Sequence, residues 1–192
     1  PIKSSAASDV YKRQDTDRKG WEIRMEAYLD NSATTRVDAQ VQELMKKLMD
    51  VDFGNPSSRH QKGVVAEGYI KEARQKIAAT LKVDPKELII TSGGTESNNM
   101  ALIGTALAAK RKGNHIITTA VEHPSVKATA SFLEEQGFRI TFLSVDSRGQ
   151  ISLEDLKEAL TPDTILVSIM YVNNEIGTIQ PVEEAAKLFH AT

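Results

Sequence analysis

The sequence predicts an α/β fold with a doubly wound, mainly parallel sheet. Short apolar, β-branched runs alternate with helical patterns from about residue 86 to the end of the chain, which is typical of βα units that build a parallel sheet. The most continuously apolar run, Thr164–Val172, predicts a buried central strand. With 192 residues, 40% of them hydrophobic, the chain is long enough to bury a core.

The composition argues against several functional classes. Lys and Arg number 24 against 26 Asp and Glu, so no basic excess favours a nucleic-acid partner. No apolar run approaches the roughly 20 residues that cross a bilayer, and no signal-peptide pattern is present, so we expect a cytoplasmic protein with no membrane partner. The sequence contains no cysteine, which excludes disulfides and thiol chemistry within these residues.

Residues 1–24 show neither helical nor strand periodicity. We predict that they form a disordered or non-native leader, and we assign residues 25–192 to one domain.

Two amphipathic helices are predicted at the start of this domain. The first follows Asp38, a suitable N-cap, and the second ends before Pro85, because the residue before a proline avoids helical geometry. Apolar residues at helical spacing form the faces expected to pack inward: Val37, Val41, Leu44 and Leu48 in the first helix, and Val65, Tyr69, Ala73, Ile77 and Leu81 in the second.

A glycine turn between a predicted strand and a helix is the clearest candidate site. Leu88–Thr91 is apolar and β-branched, Gly93-Gly94 breaks the pattern, and a helical pattern follows from about residue 96. The unpaired N–H groups of the helix's first turn, with the hydroxyls of Thr95 and Ser97, would bind a phosphate. The alternative is an ordinary βα turn in which Thr95 is only the N-cap. The P-loop and dinucleotide glycine motifs are absent from the sequence.

The rest of the chain alternates regularly between strands and helices. The helix after the glycine turn is expected to end with Gly113 as its left-handed cap, and Gly137 is expected to stop the next helix. The later elements are strands at His115–Thr119 and Arg139–Val145, helices at Pro124–Gln136, from Ser152 and from Pro181, and the apolar strand Thr164–Val172.

Polar side chains follow the predicted strands. Glu122 and His123 come after His115–Thr119, and Asn173-Asn174 comes after Val172. Ligands of such sheets bind beyond the carboxyl ends of the strands. The alternatives are that these residues, and the loop that contains Asn55 and His60, are ordinary turns and surface connections. Their coincidence with a phosphate turn favours an aromatic, phosphate-bearing cofactor.

Five motifs resemble, in order and spacing, the cysteine desulfurases of the class-V aminotransferase family. They are YLDNSATT at 28–35, GNPSSRH at 54–60, TSGGTESN at 91–98, EHP at 122–124 and VNNEIG at 172–177. The resemblance implies the large domain of the fold-type I enzymes that use pyridoxal 5'-phosphate (PLP). It also implies a homodimeric enzyme that converts L-cysteine to L-alanine and passes the sulfur, as a persulfide, to an acceptor protein for iron–sulfur cluster or thio-cofactor assembly.

The resemblance also implies roles for individual residues. Gly94 and Thr95 match the groups that hold the PLP phosphate, and His123 matches the imidazole that stacks on the pyridine ring and serves in proton transfer. Asn174 matches an amide that contacts both cofactor and substrate. The residues that match the substrate end are Asn31, Ala33, Asn55 and Asn174. No metal is expected.

The resemblance further implies an N-terminal fragment. The lysine that binds the cofactor covalently, the aspartate that pairs with the pyridine nitrogen and the nucleophilic cysteine would all follow Thr192, so we expect this chain alone to be inactive. The lysines within the chain are expected on helices or turns, and none is expected at a strand end facing the site. Tyr171, where many members have histidine, leaves the subfamily open. The alternatives are a selenocysteine lyase or an aminotransferase of the same family, and a non-catalytic module that binds PLP or phosphate.

Overall fold

The computed structural model describes residues 27–191. The chain divides into two compact units, Pro1–Arg36 and Val37–Thr192. The predicted leader, residues 1–24, lies outside the described residues. In the first unit, residues 27–36 form a turn in which the Ala33 N–H donates to the Asp30 carbonyl (3.2 Å) and the Asn31 side chain donates to the Tyr28 carbonyl (3.2 Å).

Two helices begin the second unit. Helix α1 is Ala39–Asp50, and the predicted cap is confirmed because the Asp38 carboxylate accepts from the Gln40 N–H (2.8 Å). Helix α2 is Gln61–Leu81, with His60 as its N-cap and Lys82 in left-handed geometry (φ 57°) at its end. A short 3-10 turn, Pro85–Glu87, follows.

The α/β part confirms the predicted parallel fold. Its elements are α3 (Gly94–Ala109), β1 (His115–Thr119), α4 (Pro124–Glu135), β2 (Arg139–Leu143), α5 (Leu153–Ala159), β3 (Thr164–Val167) and α6 (Val182–His190). The strands form a three-stranded sheet in the order β2-β1-β3, and both pairings are parallel.

The sheet carries a core on each face. Ile116 and Ile117 are successive buried residues of β1, so their side chains lie on opposite faces. Ile116 packs with residues of α3 and α4: Leu102, Ala106, Val126 and Leu133. Ile117 packs with residues of β2, α5 and α6: Leu143, Leu156 and Ala185. Helices therefore cover both faces, as in a doubly wound sheet.

Two strand predictions were wrong. The central strand is β1, all of whose residues are buried, whereas β3 is an edge strand of this sheet, is half-buried and stops at Val167. Leu88–Thr91 does not form a strand, and Ile89 and Ile90 are 71% and 62% exposed. A strand needs a neighbour for its N–H and C=O groups, and within residues 37–191 this segment pairs with no other.

Three predictions about helix faces and ends were also wrong. The face of α1 that was expected to pack inward has no buried residue, and Val41 and Leu44 are exposed. The predicted inward stripe of α2 is largely exposed, as at Val65 and Ile77, and the buried residues are Gly63, Ala66 and Ala78. Helix α3 ends at Ala109 without a left-handed glycine. Gly113 is needed for another reason: a Cβ there would lie 2.2 Å from the Asp163 carbonyl oxygen. Gly137 does end α4 with a positive φ of 89°, as predicted.

Candidate functional site

The carboxyl ends of β1 and β3 form one edge of the parallel sheet, and a cleft of about 350 Å³ lies there. It is lined by the segments that follow these strands, including Glu122, His123, Asn173 and Asn174. The structure therefore brings together the imidazole and the paired amides that the sequence singled out. Lys127 also lines this cleft, and it lies on the helix that begins at Pro124 rather than at a strand end.

His123 is the N-cap of α4. Its Nδ1 accepts a hydrogen bond from the Ser125 N–H (3.1 Å) and lies 2.8 Å from the Ser125 Oγ. The next residue, Pro124, opens the helix with a fixed φ and has no N–H to satisfy. The ring itself is exposed, and among the described residues its Nε2 has no hydrogen-bond partner. The backbone thus anchors one ring nitrogen and leaves the other available.

The two asparagines after β3 have different environments. Asn173 is buried; its Oδ1 accepts from the N–H groups of Glu175 (2.9 Å) and Ile176 (3.0 Å), and its Nδ2 donates to the Val121 carbonyl (3.1 Å). Asn174 is exposed, and its side chain makes no hydrogen bond within residues 27–191. The first amide therefore builds the loop, and the second remains available for a ligand.

Glu122 is a buried carboxylate that the sequence left as a possible loop residue. Its Oε1 accepts from the Thr119 hydroxyl (3.0 Å) and from the Met170 N–H (2.8 Å), so it joins the end of β1 to the segment after β3. Burial raises the pKa of this carboxyl above its ordinary value. No signal in the sequence marks this burial, because one of the two donors, the Met170 N–H, follows a different strand.

The glycine turn presents unpaired donors at the start of α3. Gly93 is the N-cap and has no side-chain cap bond, so the alternative in which Thr95 is the N-cap was wrong. The N–H groups of Gly94, Thr95 and Glu96 find no acceptor in the described part of the chain, as expected for a helix's first turn. The Thr95 hydroxyl is exposed and also lacks a partner there, and a Cβ at Gly93 or Gly94 would meet nothing within 4 Å.

Two other polar groups of this turn are already bonded. The Ser97 hydroxyl lies 2.6 Å from the Thr91 Oγ1 and donates to the Gly93 carbonyl (3.2 Å), so the prediction that it is a free phosphate donor was wrong. The Glu96 carboxylate accepts from the Ser92 hydroxyl and the Ser92 N–H, both at 2.6 Å. These two bonds, chiefly the one from the Ser92 hydroxyl, hold the pKa of the Glu96 carboxyl below its ordinary value.

Side-chain hydrogen bonds connect the glycine turn to the imidazole. The Asn98 Nδ2 donates to the Ser125 Oγ (2.9 Å), which in turn contacts His123. One residue further along α3 and one turn further along α4, the Thr129 hydroxyl donates to the Asn99 Oδ1. Helices α3 and α4 therefore hold the candidate phosphate turn and His123 in one hydrogen-bonded assembly.

Three predicted substrate-end residues lie in turns. Asn31 and Ala33 belong to the turn in residues 27–36. The Asn55 Oδ1 accepts from the Ser57 N–H (2.9 Å), which shapes the loop before α2, and Asn55 does not line the cleft of His123.

Within the described residues, no group of three or more acidic, histidine or cysteine side chains is placed to bind a metal, and no helix is long and apolar enough to cross a membrane.

Comparison with known proteins defines the class. The Aminotransferase class-V family matches residues 27–192. The chain belongs to this family, whose members use PLP. The fold agrees: a solved NifS-like protein matches with a TM-score of 0.84 and 43% identity, over 87% of this chain and 46% of that one.

Within this family, several similar curated proteins are named cysteine desulfurase. The chain is 51% identical to cysteine desulfurase IscS of Dictyoglomus turgidum over 166 residues, and 50% identical to putative cysteine desulfurase IscS 1 of Bacillus subtilis over 161 residues. These matches cover 86% and 84% of this chain and 42% of each relative. A structure titled SspA in complex with cysteine matches with a TM-score of 0.81 and 40% identity, over 86% of this chain and 48% of that one.

Proposed function

We propose that the protein containing this chain is a PLP-dependent cysteine desulfurase that converts L-cysteine to L-alanine. The sulfur of L-cysteine would pass as a persulfide to an acceptor protein for iron–sulfur cluster or thio-cofactor assembly. The enzyme would act as a homodimer. The observation that carries the proposal is the hydrogen-bonded assembly in which a glycine turn with free donors is joined to an exposed imidazole. The names of the similar proteins support the reaction, and the structure of SspA with cysteine supports the substrate class.

The residues at the start of α3 fit a phosphate. Three consecutive N–H groups, of Gly94, Thr95 and Glu96, and the Thr95 hydroxyl are unpaired in the described chain. Helix N-termini bind anions through such groups and through the helix dipole. Because the space beside Gly93 and Gly94 is open, a phosphate could approach the backbone closely. We assign Gly94 and Thr95 to the PLP phosphate.

The cleft fits the ring of the cofactor and the reacting end of the substrate. We assign the His123 imidazole to stacking on the pyridine ring and to proton transfer, and the Asn174 amide to the cofactor and substrate side of the cleft. Asn31, Ala33 and Asn55 remain proposed substrate-binding residues on the basis of the motifs that contain them. When bound, PLP would supply the electron sink of the reaction. The protein's own task is to orient the ring and to hold a proton near the reacting atoms.

The test uses the product of the complete gene that contains this chain, loaded with PLP. With L-cysteine and a thiol reductant, we expect alanine and sulfide to form in equal amounts. The control is L-alanine with a 2-oxo acid: transfer of the amino group to the oxo acid, with no sulfide from cysteine, would show an aminotransferase and overturn the proposal. Turnover of L-selenocysteine without turnover of L-cysteine would indicate a selenocysteine lyase instead.

A further inference from the structure

The amino terminus of α4 surrounds one nitrogen of His123 with two donors from the same residue. The Ser125 N–H donates to Nδ1 at 3.1 Å, and the Ser125 hydroxyl oxygen lies 2.8 Å from the same atom. A ring nitrogen that accepts a hydrogen bond carries no proton, so the neutral ring must carry its proton on Nε2.

A second helix determines what the Ser125 hydroxyl does. Its oxygen accepts from the Asn98 Nδ2 of α3 at 2.9 Å, so its own proton is available for His123 Nδ1. Ser125 is buried, and its carbonyl oxygen accepts from the Thr129 hydroxyl (2.8 Å). Bonds on several sides therefore fix this serine, and a fixed neighbour imposes its geometry on the imidazole.

We propose that Ser125 is a positioning residue that holds the neutral imidazole of His123 with its proton on Nε2, and that Asn98 orients the Ser125 hydroxyl for this purpose. The proposal deepens the proposed function, and its relevance to catalysis rests on it. The state of the imidazole can nevertheless be measured in this chain without cofactor or substrate, so failure of one proposal is distinguishable from failure of the other.

The consequence is a defined hydrogen-bonding state at the cleft. In this tautomer Nε2 is a donor and has no lone pair for a proton. Before Nε2 can accept one, the ring must exchange its proton from Nε2 to Nδ1 through solvent, which leaves its charge unchanged. The Ser125 hydroxyl can then rotate to accept from Nδ1, but the Ser125 N–H loses its acceptor. Ser125 thereby controls how readily His123 changes from a donor to a base.

The experiment is nitrogen NMR of the 192-residue chain labelled with ¹⁵N-histidine, at about pH 9, where an ordinary imidazole is neutral. A His123→Gln variant assigns the His123 signals. We expect His123 to show one tautomer, with a protonated Nε2 and a hydrogen-bonded, unprotonated Nδ1. His190, exposed on α6, is the internal reference for an ordinary imidazole.

Variants test the role of each group. In Ser125→Ala the ratio of the Nε2–H to the Nδ1–H tautomer should fall by about twofold to tenfold, the range that one net hydrogen bond provides. Asn98→Ala should give a smaller change in the same direction. Ser125→Thr should keep the wild-type ratio, because threonine retains the hydroxyl. Ser131→Ala is the matched control, because Ser131 is exposed on the same helix and its side chain has no hydrogen bond in the described structure.

Two results would overturn the proposal. The first is a wild-type His123 with its proton on Nδ1, or with the tautomer ratio of His190. The second is a Ser125→Ala variant whose His123 signals match those of the wild type and of Ser131→Ala. The His115 signals monitor folding in every variant, because both nitrogens of that buried ring contact threonine hydroxyls.

Discussion

A histidine lies near each end of the central strand, and the two rings differ in their burial and in their hydrogen-bond partners. His115 is the first residue of β1 and is fully buried; its Nδ1 lies 2.8 Å from the Thr164 Oγ1, and its Nε2 lies 2.8 Å from the Thr141 Oγ1. These threonines belong to the two neighbouring strands. His123 follows the other end of β1, is exposed, and has one nitrogen bonded only to its own helix.

The difference shows how partners assign a role to a side chain. A ring whose two nitrogens are both satisfied by the fold joins three strands and has nothing left to offer a ligand. A ring with one nitrogen held by the backbone and one available is oriented and still reactive. We therefore expect substitution of His115 to affect mainly stability and substitution of His123 to affect mainly catalysis, with a smaller loss of stability because the N-cap of α4 is removed.

The largest expected effect is on catalysis. His123→Ala in the complete gene product should lower kcat by about 10²-fold or more, the contribution typical of a positioned acid–base group, while most of the cofactor is retained. His123→Phe should restore ring stacking, worth about 1 kcal/mol, without restoring the rate. The measurements are steady-state kinetics and cofactor content.

The control for this prediction is His190→Ala, which changes an exposed histidine that does not line the cleft. Loss of cofactor in His123→Ala, with recovery of both cofactor and activity in His123→Phe, would show that His123 only packs against the ring.

The next effect is on stability. His115→Ala should lower the free energy of unfolding by about 2–4 kcal/mol, because it leaves a cavity and removes a partner from two strand hydroxyls. Urea denaturation of the 192-residue chain measures this, with His190→Ala again as the control. A loss as small as that of the control would mean that the buried ring does not join the strands.

The same comparison of bonded and free groups applies to two hydroxyls of the glycine turn. Thr95→Ala in the complete gene product should weaken PLP binding by tens-fold, because a hydrogen bond to a charged group contributes about 1.5–3 kcal/mol. Its stability should change little. Ser97→Ala removes a hydroxyl that is already bonded within the turn, so it should leave PLP affinity unchanged and cost about 1 kcal/mol of stability. Titration with PLP distinguishes the pair, and equal affinities would remove the phosphate assignment from Thr95.

The smallest effect is a dependence of stability on pH. Burial lowers the pKa of the His115 imidazole below its ordinary value of 6.5. Below pH 6.5 the unfolded chain therefore binds a proton that the folded chain does not, and stability falls as the pH drops. Burial raises the pKa of Glu122 above 4.5, so that group has the opposite effect: its contribution to stability falls as the pH rises above 4.5.

A Glu122→Gln variant separates the two contributions, because it keeps an acceptor oxygen and removes the carboxyl titration. Between about pH 4.5 and 6.5 its free energy of unfolding should rise more steeply with pH than that of the wild type. An identical slope in both proteins would exclude a contribution from Glu122.

Local rules explain which parts of this structure the sequence predicts. The Asp38 cap, the Pro124 start and the Gly137 stop each depend on a few neighbouring residues, and all three were confirmed. The position of a strand within the sheet depends on distant partners, so the most apolar run, which contains β3, was wrongly placed at the centre.

The site shows the same limit. The positions of His123 and Asn174 after predicted parallel strands indicated that both would lie at one edge, and both line one cleft. Sequence spacing could not show that the Ser97 hydroxyl is bonded by Thr91 while the Thr95 hydroxyl is free, because this depends on side-chain orientation within one turn. It also could not show that Glu122 is buried, because its donor Met170 follows a different strand.

The two bonds that join the loops at this cleft have a consequence for sequence variation. Each loop contributes one side chain that binds the backbone of the other: Glu122 binds the Met170 N–H, and Asn173 binds the Val121 carbonyl. Nearly every residue type supplies the same backbone groups, so we expect these two bonds to depend more on the side chains at 122 and 173 than on those at 121 and 170. The Met170 sulfur adds one weaker contact, because it accepts from the Asn173 Nδ2 (3.4 Å). An insertion or deletion between Met170 and Asn173 would shift one bond relative to the other. In a chimaera of two relatives, the two loops should therefore be exchangeable at constant length, either singly or together, provided that Glu122 and Asn173 are retained.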